Sequence, residues 1–353
     1  MYKLDILNNF GLLILLWNCR SLTANLIEFN NYLNKIKPNV ICLTETWLKG
    51  AINLNFNGYK MFRNDRFGAR GGGVAILIRH DITVVPNDFN YYLDGFLETI
   101  VVSIQLNQLK CNLCVMYNPN KKVTESEFSH YFNNVGPNSI ICGDLNAHDA
   151  LWSSHNRTPS NYSGKSLRSA YQSNLLFNLL TPKALKTHQN PTTGLYSTID
   201  LMFGSGNFTS VDDVVVHDPL GTDHNPVMYC FNYIYNSPRN QSPATWNFGK
   251  IDWKKWKSDI KSAIDLNKNH SYEQLSNIIQ DVSQKHTSLT SKDIKPKYRK
   301  KFWSADCSKM VALRRRARKR FQKSPSPDLR TACNKQAALT KRFLKKKEKR
   351  VLA

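Results

Sequence analysis

The sequence predicts an α/β sheet sandwich over its first two-thirds, followed by a basic helical extension. Three observations carry this. Apolar runs of strand length recur between Leu12 and Tyr233, with helix-period segments between several of them. The order strand, helix, strand over residues 12–47 sets two parallel strands side by side. The charge is also split: 23 of the 49 Lys and Arg, but only 4 of the 26 Asp and Glu, lie from Lys292 onward. A nearly neutral body therefore precedes a cationic tail. That points to a polyanionic partner, nucleic acid ahead of an acidic membrane surface. The length suits about two domains, and the change in composition places them at residues 10–235 and 236–353.

Residues 10–17 form the most apolar run. It is too short to span a bilayer and no small-residue cleavage site follows, so it reads as a buried strand rather than a signal peptide. Residues 1–9 read as a ragged extension of it. The strand ends at Asn18. Leu22, Leu26, Phe29 and Leu33 make a helical stripe that Pro38 stops. A second buried strand covers residues 40–47, with Glu45 at its end. If the two strands are parallel neighbours, Asn18 and Glu45 meet at their tips.

Arg63, Arg66 and Arg70 surround Gly71-Gly-Gly73, a tight turn before the strand at residues 74–78. These arginines form either a solvated rim or contacts to a phosphate backbone. Residues 96–106 and 109–117 flank Asn107-Gln108 and predict an antiparallel hairpin ending at Tyr117. A helix is predicted at 127–135, then a strand at 140–142. Gly143 is expected to let the chain turn where the sheet stops. Asp144 and Asn146 would share a face if the strand pitch persists through Leu145; alone, the stretch also fits an Asx turn. Residues 152–164 read as a loop and 167–180 as a helix. Strands follow at 197–203, carrying Asp200, and at 211–217. A loop at 221–227 sets Asp223 beside His224 before a last strand at 228–233.

After about residue 236, Trp246, Trp253, Trp256 and Trp303 punctuate polar, helical-looking sequence. Residues 304–349 read as two basic helices without a core of their own, broken at Ser324-Pro-Ser-Pro327. They are either a solvated linker or a nucleic-acid contact surface. The eight cysteines are scattered, and Cys111-x-x-Cys114 has no second pair to complete a zinc site. They read as core cysteines of a protein in a reducing compartment.

Asn18, Glu45, Tyr117, Asp144, Asn146, Asp200, Asp223 and His224 nearly all end or follow apolar strands, which gathers them on one rim. Such a set suits phosphodiester hydrolysis. A divalent cation on Glu45, with Asp223 nearby, would neutralise phosphate oxygens. A water held by Asp144 and Asn146 would attack in line. His224, oriented by Asp200, would stabilise developing charge or move a proton.

The blocks Trp17-Asn18, Leu43-Thr-Glu45-Thr-Trp47, Tyr117-Asn-Pro119, Gly143-Asp144-Leu-Asn146-Ala-His148, Ser197-Thr-Ile-Asp200 and Gly221-Thr-Asp223-His224-Asn-Pro-Val227 resemble the endonuclease/exonuclease/phosphatase superfamily, which contains DNase I and the apurinic/apyrimidinic endonucleases. The Glu-Thr-Trp form, the glycine block and Gly-Asp-Leu-Asn-Ala-His are most similar to the endonuclease domain of non-LTR (LINE) retrotransposons, jockey-like elements in particular. The resemblance covers roughly residues 10–232. It implies a four-layer sandwich of two packed sheets flanked by helices. It implies Mg²⁺ or Mn²⁺ on Glu45 and Asp223, and catalytic roles for Asp144, Asn146, His224, Asp200, Tyr117 and Asn18. Tyr117 would contact the scissile phosphate, and Arg63, Arg66 and Arg70 would contact DNA. The implied partner is double-stranded DNA in the nucleus, nicked to expose a 3′-hydroxyl that primes reverse transcription, with element RNA on the basic tail. No Tyr-x-Asp-Asp motif occurs, so the implied polymerase is expected outside this chain, as in a truncated copy, a partial gene model or an isolated endonuclease fragment. Two other readings stay open: hydrolysis of a small phosphoester, and a decayed element whose basic tail alone binds nucleic acid.

Overall fold

Period-two alternation in the apolar strands builds three hydrophobic layers rather than one. In the computed structural model, which describes residues 11–153, 159–233, 245–246, 251–264, 271–287, 289–290 and 303–352, β1 (Leu12–Asn18) is buried along its whole length. Leu12, Ile14 and Leu16 face one core and Leu13, Leu15 and Trp17 the other. Burying each such side chain contributes about 1.5–3 kcal/mol. The predicted ragged extension at residues 1–9 lies outside the described residues, as do residues 154–158 of the predicted loop.

The elements that follow are α1 (Leu22–Ile36), β2 (Val40–Thr44), β3 (Tyr59–Asn64), β4 (Val74–Arg79), β5 (Thr83–Val85), β6 (Glu98–Leu106), β7 (Leu109–Tyr117), α2 (Glu125–Asn134), β8 (Ser139–Asp144), α3 (Tyr162–Ser173), β9 (Phe177–Leu179), β10 (His188–Gln189), β11 (Tyr196–Ser197), β12 (Asp200–Ser205), β13 (Asp213–Val216) and β14 (Val227–Phe231). One mixed sheet runs β13-β14-β1-β2-β4-β3, the other β5-β6-β7-β8-β12-β9. Their inner faces share a core in which Leu12, Ile14, Leu16 and Cys42 meet Ile104, Val115, Ile140 and Met202. The outer face of the first sheet packs on α1, where Trp17 stacks on Phe29 with ring centroids 5.2 Å apart. The outer face of the second packs on α2 through Phe128, Tyr131 and Phe132, and on α3 through Leu167 and Ala170. This is the four-layer sandwich of two mixed sheets flanked by helices. As expected, β1 and β2 are parallel and β6 and β7 form a hairpin.

Several boundaries differ from the sequence reading. The helix expected at 167–180 is α3 followed by β9, because Asn161 caps the helix early: its Oδ1 accepts from Gly164 N at 2.7 Å. The strand expected at 197–203 is two pieces, β11 and β12, because Thr187 Oγ1 accepts the amides of Ile199 and Asp200. The strand expected at 40–47 stops at Thr44, since Glu45 and Trp47 take φ of 51° and 53°. Gly143 does not turn the chain. It lies within β8, where a Cβ would sit 1.7 Å from the Met116 carbonyl oxygen of β7. Cys111 and Cys114 belong to cores on opposite faces of β7, so they do not converge on a metal. All eight cysteines are free thiols.

Residues beyond 236 were expected to form one extension. The chain instead divides into Met1–Asn236 with Lys300–Ala353, and Ser237–Arg299. The second unit contains β15 (Thr245–Trp246) paired antiparallel with β16 (Leu289–Thr290), and α4 (Trp253–Ala263) against α5 (Tyr272–His286), joined by Trp256 Nε1 to Ser283 Oγ and His286 to Asp259. The two expected basic helices, α6 (Ala305–Lys323) and α7 (Pro327–Leu352), belong to the first unit. Cys307, Val311 and Leu344 pack there with Ile27 of α1. Among the described residues no helix is long and apolar enough to cross a membrane.

Candidate active site

Strand register places the functional side chains. In the second sheet Tyr117 pairs with Asp144 across β7 and β8, and Asp144 with Asp200 across β8 and β12. Three polar groups thus stand abreast at one sheet edge. In the first sheet Asn18 ends β1 beside Thr44 at the end of β2, one residue before Glu45. The rims meet through Asn18, whose Nδ2 donates to Asp144 Oδ2 at 2.7 Å and to Glu45 Oε1 at 2.9 Å. Trp47 Nε1 donates to the other oxygen of Glu45 at 3.1 Å.

His224 completes the row. Its Nδ1 lies 2.9 and 3.1 Å from the two oxygens of Asp200, and its Nε2 lies 3.7 Å from Asp144 Oδ2. Imidazole, Asp144 and Asp200 are all buried. Burial alone would lower the pKa of His224, but Asp200 and Asp144 hold it well above its usual value. Burial raises the Asp144 carboxyl, Asp200 and Glu45 add to the rise, and His224 and Asn18 oppose it. A proton is therefore retained in this group near neutrality. Burial, then the charges of Glu45 and Asp144, push the Tyr117 phenol far up, so it remains a donor.

The loops bearing these groups are strained. Arg20, Ser21, Glu45, Trp47 and Asn146 all have positive φ, between 38° and 78°. Each costs about 1 kcal/mol or more in a non-glycine residue. Because of that turn the strand pitch does not continue from Asp144 to Asn146. The Asn146 amide N–H donates to Asp144 Oδ1 at 3.2 Å, while its side chain reaches the Asn118 carbonyl at 2.8 Å.

Three positioning residues carried no clear sequence signal. Asn118 is fully buried and donates to Leu145 O at 2.9 Å. Asn161 donates to Asn146 O at 2.8 Å and accepts from His148 N at 3.0 Å. The His188 ring lies 4.6 Å from that of His224, tilted by 46°, and its Nε2 lies 3.9 Å from Asp223.

The arginines differ among themselves. Arg63 donates to the backbone carbonyls of Ile52 and Gly50. Arg66 is ion-paired to Glu98, and its guanidinium lies 5.8 Å from the Tyr117 ring centroid, with Nη2 buried and unpaired. Glu98 also accepts the Gly73 amide at 2.5 Å. A Cβ on Gly72 would fall 2.3 Å from the Arg66 guanidinium, so glycine lets that arginine lie over the turn. Arg70 is exposed.

The donor set suits a hard divalent cation. Glu45 is half-buried at the rim, and Asp223 Oδ1 is buried without a hydrogen-bond partner. The other oxygen of Asp223 is paired with Arg20. Among the described residues, the ligand atoms of Asp144, Asp200 and His224 also lie within 4.8 Å of one another. Asp200 spends both oxygens on the imidazole, so this trio serves better as an acid–histidine–acid relay than as a cage.

A profile of the Endonuclease/Exonuclease/phosphatase family matches residues 15–224, more than half of the chain. A search of curated protein sequences finds no match. Among solved structures, the endonuclease domain of TRAS1, a telomere-specific non-LTR retrotransposon, is similar with 21% identity and a TM-score of 0.50, over 63% of this chain and 99% of that one. A 3′-5′ exonuclease from Neisseria meningitidis has 18% identity and a TM-score of 0.48, over 63% of this chain and 100% of that one. An AP endonuclease from Archaeoglobus fulgidus has 14% identity and a TM-score of 0.45, over 63% and 99%.

Proposed function

The chain belongs to the endonuclease/exonuclease/phosphatase family, and we propose that it is a divalent-metal-dependent DNA endonuclease of a non-LTR retrotransposon. It nicks double-stranded genomic DNA in the nucleus and leaves a 3′-hydroxyl primer for reverse transcription. The observation that carries this reading is the single Asn18 amide joining Glu45 to Asp144, with the His224–Asp200 pair on the far side of Asp144.

Each residue has a role that follows from its contacts. Asp144, with its carboxyl raised by burial, accepts a proton from the attacking water. Asn146 fixes that carboxylate through its backbone amide. His224, held cationic by Asp200 and Asp144, stabilises charge on the phosphate oxygens. The Tyr117 phenol donates to the same phosphate. Asn18 keeps two carboxylates in register. Glu45 and Asp223 would hold Mg²⁺ or Mn²⁺, which when bound neutralises phosphate charge as a Lewis acid. The exposed Arg70 and the partly exposed guanidinium of Arg66 contact the DNA backbone, with Arg63 bracing the adjoining loop. The surface lysines and arginines of α6 and α7 bind DNA or element RNA.

The test is nicking of supercoiled plasmid with Mg²⁺, with Mn²⁺ and with EDTA. The wild type should nick only with metal, and Asp144→Ala should lose about 10³-fold or more in rate. Equal nicking by both proteins would sink the proposal. One observation favours a second reading, nucleic-acid binding without cleavage: the concentration of positive charge beyond Lys292. Metal-independent DNA binding by the full chain, with no nicking, would select it.

A further inference from the structure

We infer that Arg318 of the basic extension is a positioning residue for the loop that carries Asp223 and His224, so that α6 completes the active site instead of merely following it. The inference rests on the endonuclease reading of that site. Residues 307, 311, 314, 318 and 322 fall at helical spacing along one side of α6. Cys307 and Val311, at the start of that stripe, pack with Ile27 of α1. Arg314 follows with a bidentate pair to Glu28, at 2.7 and 2.8 Å, and a bond to Pro219 O at 3.1 Å. Gln322, near the end, donates to Gln189 Oε1 at 3.0 Å.

Arg318 lies between them and reaches four acceptors. Nη1 donates to Thr222 O at 2.6 Å, Nη2 to Asp223 O at 3.2 Å and Asn225 Oδ1 at 3.5 Å, and Nε to Gln189 Oε1 at 2.8 Å. Two of these are backbone carbonyls of the residues just before His224. None is a carboxylate. A guanidinium spent wholly on neutral loop acceptors supplies geometry more than charge pairing. The same loop is also held by Gln189 N, which donates to Asp223 O at 2.9 Å, and internally by Thr222 Oγ1, which donates to His224 O at 2.9 Å. Gly221 begins the loop at φ 94°, where a Cβ would sit 2.5 Å from Asn25 Oδ1 and 3.4 Å from Arg314 Nη1. The loop is thus threaded between α1 and α6. Without Arg318, two carbonyls beside the catalytic imidazole lose their shared donor, and the Asp200–His224–Asp144 alignment is free to drift.

Arg318→Ala and Arg318→Lys in the full chain test this through two readouts. The first is kcat and KM for plasmid nicking. The second is amide hydrogen exchange over residues 219–226, which reports on the loop whether or not the protein nicks DNA. Arg318→Ala should lower kcat by about 10–100-fold with little change in KM. It should also speed exchange in 219–226 while β1 and β8 stay protected. Lysine, with one cationic point in place of a planar fork, should restore part of both. Unchanged exchange in the loop, or a raised KM at wild-type kcat, would overturn the inference. A wild type that does not nick would refute the endonuclease reading, and exchange alone would then decide the role of Arg318. If Arg318→Ala exchanges fast throughout, Arg318→Lys supplies the deciding comparison.

Discussion

At Asn18 one amide reconciles two carboxylates that would otherwise repel across the seam between the sheets. Its position was legible because an apolar run stops there, and the same signal exposed Glu45 and Asp144, whereas Asp200 stands at the start of its apolar run, in β12. His188 left no such trace: it sits in a two-residue strand with no apolar run, and only the backbone bridge to His224 brings it to the site. His217 raises a different question, that of pH. It is edge-on to Tyr32 at 5.3 Å, and burial lowers its pKa from 6.5 to about 4. Above pH 6.5 both folded and unfolded chains carry the neutral ring, so the residue adds no pH dependence there. Below it the unfolded chain takes up a proton that the folded chain refuses, and stability falls as the pH drops from 6.5 toward 4. Between about pH 7 and pH 5 this single residue should cost the wild type about 1–2 kcal/mol of unfolding free energy. Urea denaturation of the wild type and His217→Gln at both pH values measures it. Identical pH dependence in the two proteins would rule it out.

Among the elements, strands with unbroken apolar runs were easiest to read, because burial on both faces leaves no polar interruption. Those with a glycine or a kink were harder. Gly143 looked like the end of β8, yet β8 needs it to lie against β7. Replacing its hydrogen with a methyl brings carbon to 1.7 Å from Met116 O, a backbone atom with nowhere to go. The strands must separate at the register position that aligns Tyr117 with Asp144. Gly143→Ala is therefore expected to destabilise the fold by about 2–3 kcal/mol or more, seen as a lower urea midpoint, and to reduce nicking in the fraction still folded. A variant with wild-type stability would show that β7 and β8 tolerate the methyl. The helix α3 begins and ends earlier than 167–180 because its cap, Asn161, lies in a polar stretch that reads as loop, and because Leu175 and Leu176, within that span, are 94% and 64% exposed rather than packed on a helical face. The extension was misjudged for a related reason. Arginines look solvated in sequence, but Arg314 and Arg318 face the protein, and only tertiary contacts with Glu28 and the 222–225 loop reveal it.

For the molecule as a whole, the uneven charge divides the basic extension into two functions. Arg314 and Arg318 are consumed by contacts with the body, whereas Arg342, Lys345 and Lys346 of α7 are exposed. Of these two groups only the second, like the exposed Arg316, Lys319 and Arg320 of α6, is available to displace counterions from a polyanion. Duplex DNA binding should therefore weaken steeply with salt, each neutralised phosphate adding about 0.9 to the slope of log K against log salt concentration. Replacing Arg342, Lys345 and Lys346 together by glutamine should make that slope shallower by up to about 2.7 and lower affinity alike for unrelated DNA sequences. Arg318→Lys should leave the slope where it is, because that guanidinium meets protein acceptors and not phosphate. Fluorescence anisotropy with labelled duplexes between about 50 and 200 mM salt covers the range over which such an effect is large. If the triple variant keeps the wild-type slope, the charge on this part of α7 does not meet DNA, and the search for the backbone contact moves to Arg66, Arg70 and the glycine turn beside Tyr117.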